Sequence, residues 1–116
     1  MQLSDTISNQ NFDPDENLFL IRKRKNQETL LALDFDNSDI INILSGLTED
    51  NYSETLFDND NDNPPLLNVF GVQINNQEVY IKIKIRSTAD NNMVICVSFH
   101  WAEHKIKYPY KKEKMK

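Results

Sequence analysis

Residues 79–86 read Val-Tyr-Ile-Lys-Ile-Lys-Ile-Arg, a strict two-residue alternation that fits a β-strand with one buried face. Val79, Ile81, Ile83 and Ile85 form the face that must be covered, and Tyr80, Lys82, Lys84 and Arg86 form the other. A slip of one residue in the pairing of such a strand would bury the lysines or expose the isoleucines, so its neighbours must supply an apolar layer on one side only. The chain carries a formal net charge of −5. A row of cations on a strand of an acidic protein calls for a polyanion on that face, and RNA is the reading that fits.

The mean charge hides a segregation. From Asn26 to Val79 there are eleven Asp and Glu and no Lys or Arg, whereas from Tyr80 to the end nine Lys and Arg stand against Asp90, Glu103 and Glu113. Residues 22–25, Arg-Lys-Arg-Lys, add a second basic patch. Two basic patches and an acidic flank follow, the flank serving solubility or docking a basic partner protein.

At 116 residues and 39% hydrophobic content the chain is long enough for one domain with a two-layer core and no disulfide. No apolar run approaches the roughly 20 residues of a membrane span. The opening Met-Gln-Leu-Ser-Asp-Thr lacks the basic start and apolar stretch of a signal peptide, so a cytoplasmic protein is expected. Cys96 sits in an apolar strand pattern and reads as a buried thiol in a reducing compartment. One Cys and two His do not make a zinc site without carboxylate help, and no metal or other cofactor is expected. Asp58-x-Asp60-x-Asp62 matches the start of a calcium loop, but Asn63 and Val69 stand where that loop needs Gly and a bidentate Glu.

Along the chain, residues 1–15 read as a weakly ordered lead-in and 16–116 as a single domain. A short strand is expected at Asn17–Arg22, then a helix whose apolar stripe is Leu30, Leu31 and Leu33. Asp34-Phe35-Asp36 breaks it, and Asn37 or Ser38 caps a second helix with Ile40, Ile41, Ile43, Leu44 and Leu47 on its core face. Thr48–Tyr52 reads as a capped turn and Phe57–Pro65 as a loop. Strands at Leu66–Ile74 and Val79–Arg86 join through Asn75-Asn76-Gln77, and a third spans Met93–His100 before a basic tail at Trp101–Met115. The order predicts an α+β fold of two layers, an antiparallel β-sheet with the N-terminal helices packed on one face.

The pairing of the last two strands decides where His100 falls. If facing residue numbers sum to 180, Tyr80 faces His100, Lys82 faces Ser98 and Lys84 faces Cys96, which puts the polar residues of both strands on one side. Tyr80, Lys82, Lys84, Arg86 and His100 then share an open sheet face. Cations neutralise a phosphate and its developing charge, an imidazole moves a proton, and a Tyr stacks on a base. A solvated sheet face with a surface His is the plainer reading of the same residues. Arg22-Lys23-Arg24-Lys25 reads as a solvated run before a helix or as an extension of the RNA track, with Arg22 and Arg24 as its RNA-binding members. Glu103 and His104 would orient His100 or line its pocket. His100-Trp101-Ala102-Glu103-His104 also matches a zinc-peptidase H-x-x-E-H, but that motif requires a helix and here it follows a strand.

From about Phe19 to Lys112 the chain resembles the MqsR family of type II toxin–antitoxin toxins, which are RelE-like mRNA interferases. The matching pieces are Leu30-Leu31-x-Leu33, Leu47-Thr48-Glu49-Asp50-Asn51-Tyr52, Val69-Phe70-Gly71, Glu78-Val79-Tyr80-Ile81-Lys82-Ile83, Ile95-Cys96-Val97-Ser98-Phe99-His100-x-Ala102-Glu103 and Tyr108-Pro109-Tyr110. The resemblance implies a RelE-like two-layer fold, a metal-independent endoribonuclease acting on mRNA, and a cognate antitoxin partner. It carries over only Tyr80, Lys82 and the position of His100 as catalytic residues; Tyr108 is expected beside them in support, with Glu103 and His104. In the best-known branch the last strand ends Ser-Phe-Lys with a catalytic Lys, where this chain has His100; a second Lys of that branch corresponds here to Glu54 or its neighbours. Two other classes fit the same face: a non-catalytic module binding RNA or an acidic peptide, and a structural subunit adding a partner's strand to its sheet edge.

Overall fold

The computed structural model describes residues 17–57, 66–87 and 92–111. The expected lead-in at 1–15, the Asp58-x-Asp60-x-Asp62 segment and the end of the basic tail lie outside the described residues. The elements are β1 (Leu18–Leu20), α1 (Arg24–Leu33), α2 (Asn37–Ser45), a 3₁₀ turn (Glu49–Asn51), β2 (Tyr52–Phe57), β3 (Leu66–Ile74), β4 (Gln77–Ser87) and β5 (Asn92–Trp101). They form an α+β fold around a five-stranded sheet of order β1-β5-β4-β3-β2. The sheet is mixed, not purely antiparallel as expected, because β1 runs parallel to β5. A strand and its parallel partner need a long connection, and here α1, α2 and β2 to β4 all lie between β1 and β5 in the chain. No helix among the described residues is long and apolar enough to cross a membrane.

The alternation at 79–86 holds. Val79, Ile81 and Ile83 are buried on the inner face of β4, flanked by Phe70 of β3 and by Phe99, Cys96 and Val94 of β5. Ile40 and Leu44 of α2 close the layer over them. Each such aliphatic side chain contributes about 1.5–3 kcal/mol on full burial. The hairpin joining β3 to β4 turns on Asn75 (φ 52°) and Asn76 (φ 64°), the two left-handed residues of a type I′ turn. α2 is capped by Asp36, not by Asn37 or Ser38: its carboxylate accepts from the Asp39 amide, and Asp39 accepts from the Asp36 amide, both at 3.0 Å. β2 is a strand where the sequence predicts only a turn ending at Tyr52 and a loop starting at Phe57, with no element between them.

The expected register of β4 and β5 is right for half its length. Tyr80 faces His100 and Lys82 faces Ser98, but then a bulge at Val97 shifts the count, so Ile83 faces Cys96 and Lys84 faces Ile95. Without a bulge, Val94 and Cys96 would share a face with Ser98 and His100. The extra residue lets Val94, Cys96 and Phe99 all point inward while Ser98 and His100 point outward.

α1 makes this arrangement possible. β1 covers the outer edge of β5 only as far as Cys96. Beyond it, Asn26 of α1 donates to the Val97 carbonyl at 3.1 Å and to the Ile21 carbonyl at 2.8 Å, and accepts from the Phe99 amide at 2.9 Å. Thr29 accepts from the Trp101 amide at 3.3 Å. Two buried polar side chains thus complete a strand edge that would otherwise hold unpaired backbone groups. The fully buried residues of α1 are therefore Asn26 and Thr29; of the expected apolar stripe, Leu30 and Leu33 pack partly buried against the core and Leu31 is 83% exposed.

After β5 the chain folds back across the open sheet face. Glu78 anchors it: its backbone carbonyl accepts from the Ala102 amide, and its carboxylate accepts from the Ile106 amide at 3.1 Å and the Tyr108 hydroxyl at 2.6 Å. Burial and the Glu78 charge hold the Tyr108 phenol well above its usual range, so it remains a donor. Gly71 lies directly beneath, where an added Cβ would sit 2.3 Å from the Tyr108 hydroxyl. Gly71→Ala is expected to displace Tyr108, costing about 1–2 kcal/mol through the lost hydrogen bond to a carboxylate. The check is faster tryptic cleavage at Lys107 and Lys111 together with a lower unfolding midpoint; an unchanged digestion rate contradicts the latch.

Burial pushes the Cys96 thiol up to about 12. The native protein should leave Cys96 unmodified by a thiol reagent at neutral pH, with modification only on unfolding. The unfolded chain loses that proton near the ordinary value of 9.0 and the folded chain does not. Above that value the unfolded state therefore binds fewer protons, and this group's contribution to stability falls as pH rises from there toward about 12.

Candidate functional site

The strap at 102–107, the N-terminus of α1 and the open face of β4 and β5 enclose a cleft of about 750 Å³. Six Lys and Arg line it (Lys23, Arg24, Lys25, Lys82, Lys105 and Lys107) against two carboxylates, Glu54 and Glu103. Val69 and Ile106, both buried, provide an apolar part of the wall. An acidic protein therefore concentrates positive charge in one concavity, which focuses its field on an incoming anion.

Tyr80, Lys82 and His100, the three residues placed in catalysis from sequence, meet in this cleft. β4 supplies the first two at alternate positions, and the cross-strand register brings His100 opposite Tyr80. Their rings stack with centroids 5.4 Å apart and 21° between planes. The Lys82 ammonium lies 5.9 Å from the Tyr80 ring centroid. His100 is only 8% exposed. Its Nδ1 lies 2.9 Å from the Trp101 carbonyl oxygen. A carbonyl can only accept, so Nδ1 carries the proton, and in the neutral ring Nε2 holds the lone pair. Burial first, and the Glu54 charge second, raise the Tyr80 phenol above its ordinary value, which keeps it neutral.

Glu103 and His104 line the cleft as expected. Glu103 pairs with Lys25 at 2.5 Å, and that ammonium holds its carboxyl below the usual range. The pair is exposed and adds little to stability. Arg24 lines the cleft and pairs with Glu28 one turn on.

Other expected residues lie elsewhere. Lys84 faces Ile95 and Arg86 faces Met93, further along β4 and outside the cleft lining, because the tail covers only the other end of the strand. Arg22 lines a separate cavity with Leu30, Leu31 and Asp34, since it precedes the helix cap and points away from the sheet face. Tyr108 belongs to the tail latch on Glu78.

Sequence reasoning missed Ser98 as a site residue, and it placed Lys23 and Lys25 only within the basic run, without singling them out. Lys23 is the N-cap residue of α1, in extended conformation, and its ammonium donates to the Ser98 hydroxyl at 2.8 Å. The basic run at 22–25 held this signal, but choosing among its four members required the helix start. Among the described residues no group of three or more His, Cys, Asp and Glu is placed to hold a metal ion. Comparison with protein-family models, with curated proteins and with solved structures finds no match to this chain.

Proposed function

We propose that this chain is the toxin of a type II toxin–antitoxin system, a cytoplasmic, metal-independent endoribonuclease of RelE-like fold and MqsR-like sequence that cleaves mRNA and is restrained by a cognate antitoxin. The observation that carries the reading is the stacked Tyr80–His100 pair beside Lys82, with the His100 Nδ1 engaged by the Trp101 carbonyl. That engagement directs the free lone pair of Nε2 to accept a proton from an RNA 2′-hydroxyl. The 2′-oxygen attacks the adjacent phosphorus, the bond to the 5′-oxygen breaks, and the departing oxygen takes its proton from water. Lys82 neutralises the phosphate as charge builds on it. The imidazolium formed on His100 lies against the Tyr80 ring, whose π-face favours a cation. The apolar wall of Val69 and Ile106 suits the face of an unstacked base.

The test is incubation of purified protein with an RNA ladder in EDTA at graded salt. The reading predicts cleavage products whose yield falls as salt rises, because the cleft acts through phosphate contacts. Salt-sensitive retention of intact RNA would identify a binding module of the same fold.

A further inference from the structure

Four cleft ammoniums have no carboxylate partner within 4 Å among the described residues, Lys23, Lys82, Lys105 and Lys107; of these, Lys23 and Lys82 are the two that the structure brings to Ser98. Lys23 and Lys82 come to that residue from different elements. Lys82 stands on β4 directly opposite Ser98 on β5. Lys23 comes from the start of α1 and donates to the Ser98 hydroxyl at 2.8 Å. Ser98 is 1% exposed, so this hydroxyl is a fixed post on the cleft floor, two residues from His100. Partial burial, then the Lys82 and Lys25 charges, pull the Lys23 ammonium below its ordinary value. Assembling like charges without a counter-ion is unfavourable, and a fold that does so on a strand and a helix start is completed by an anion.

We infer that Lys23 and Lys82 form a two-ammonium seat for a single backbone phosphate of single-stranded RNA, with Ser98 setting the position of Lys23 and His100 alongside. This rests on the RNA-binding part of the proposed function, and not on cleavage. Lys23 is on this account a phosphate-positioning residue. Arg24 and Lys25 beside it are already engaged by Glu28 and Glu103.

The experiment measures binding of a short 2′-O-methyl RNA oligonucleotide, which lacks the attacking hydroxyl, by fluorescence anisotropy over a salt series. Lys23→Gln should weaken binding about tenfold and reduce the slope of log affinity against log salt by about 0.7, the single-strand value for one phosphate contact. Lys23→Arg should retain most of the affinity. Because both ammoniums serve one phosphate, Lys23→Gln combined with Lys82→Gln should cost less than the two single changes added together. Removing a like charge should leave the unfolding midpoint of Lys23→Gln unchanged or raised, which a purely structural role would not. Arg22→Gln, outside the cleft, should bind within about twofold of the unaltered protein. Binding by Lys23→Gln within that same margin, additive losses in the double variant, or a lowered midpoint with normal binding would each overturn the seat while leaving the nuclease reading standing. Failure of the unaltered protein to bind the oligonucleotide would overturn both.

Discussion

His100→Ala is expected to lower the rate of the proposed RNA cleavage by about 10²- to 10⁴-fold, the range for a positioned proton-transfer group. The loss should fall on turnover and not on substrate affinity, because the imidazole gains its importance as the 2′-oxygen begins to attack. The side chain also stacks on Tyr80 and bonds to the Trp101 carbonyl, so a small loss of stability accompanies the change. Tyr80 separates the two effects. Tyr80→Phe keeps a ring for His100 to stack on and should remain active, whereas Tyr80→Ala removes the surface that orients the imidazole. In cells, His100→Ala should relieve growth arrest while the protein remains folded, as judged by its circular dichroism and its oligonucleotide binding. Arrest equal to that of the unaltered protein would remove His100 from the chemistry.

The second large effect is on the fold. Asn26→Ala should destabilise the protein by about 3 kcal/mol, because each buried backbone group left without a partner costs about 1–3 kcal/mol. Asn26 is fully buried and serves three such groups, the carbonyls of Ile21 and Val97 and the amide of Phe99. For a domain of this size that loss lowers the unfolding midpoint by about 10–20 °C. The damage should spread to the site, since the bulge that Asn26 holds at Val97 lets Ser98 and His100 face outward. Thermal unfolding followed by circular dichroism measures the first effect, and weaker oligonucleotide binding below the midpoint measures the second. A change of under about 1 kcal/mol would mean that water replaces the amide at little cost.

The residues that were legible from sequence are those whose periodicity is local. The alternation at 79–86 gave the buried face of β4, and the stripe from Ile40 to Leu44 gave the core side of α2. Tyr80, Lys82 and His100 followed because a hairpin register is nearly determined once one strand has an apolar face. What was not legible depends on contacts far apart in the chain. The bulge at Val97 needs Asn26, 71 residues away, and no short-range pattern reports it. α1 misled in part: Leu30 and Leu33 of its expected stripe pack partly buried against the core, but the residues that it buries fully are polar, Asn26 and Thr29, which satisfy a strand edge. β1 was expected as a short strand, but its parallel pairing with β5 has no local signal, and β2 begins with a bulge near Ser53 at the sheet edge, so it shows no clean alternation. Lys23 was hidden in a run of four cations, and only its position at the helix start distinguishes it.

The chemistry assigned to the cleft makes one demand that no binding module shares, that the attacking oxygen belongs to the RNA itself. The direct measurement is therefore end analysis of a defined RNA cut by the purified protein in EDTA, paired with the same RNA carrying a single 2′-deoxy nucleotide at the cleaved position. The account predicts a 2′,3′-cyclic phosphate on one fragment, a 5′-hydroxyl on the other, and no cut at the deoxy position while neighbouring sites are still cut. Unimpaired cleavage at the deoxy position, or intact RNA retained by the protein at every concentration, would contradict it.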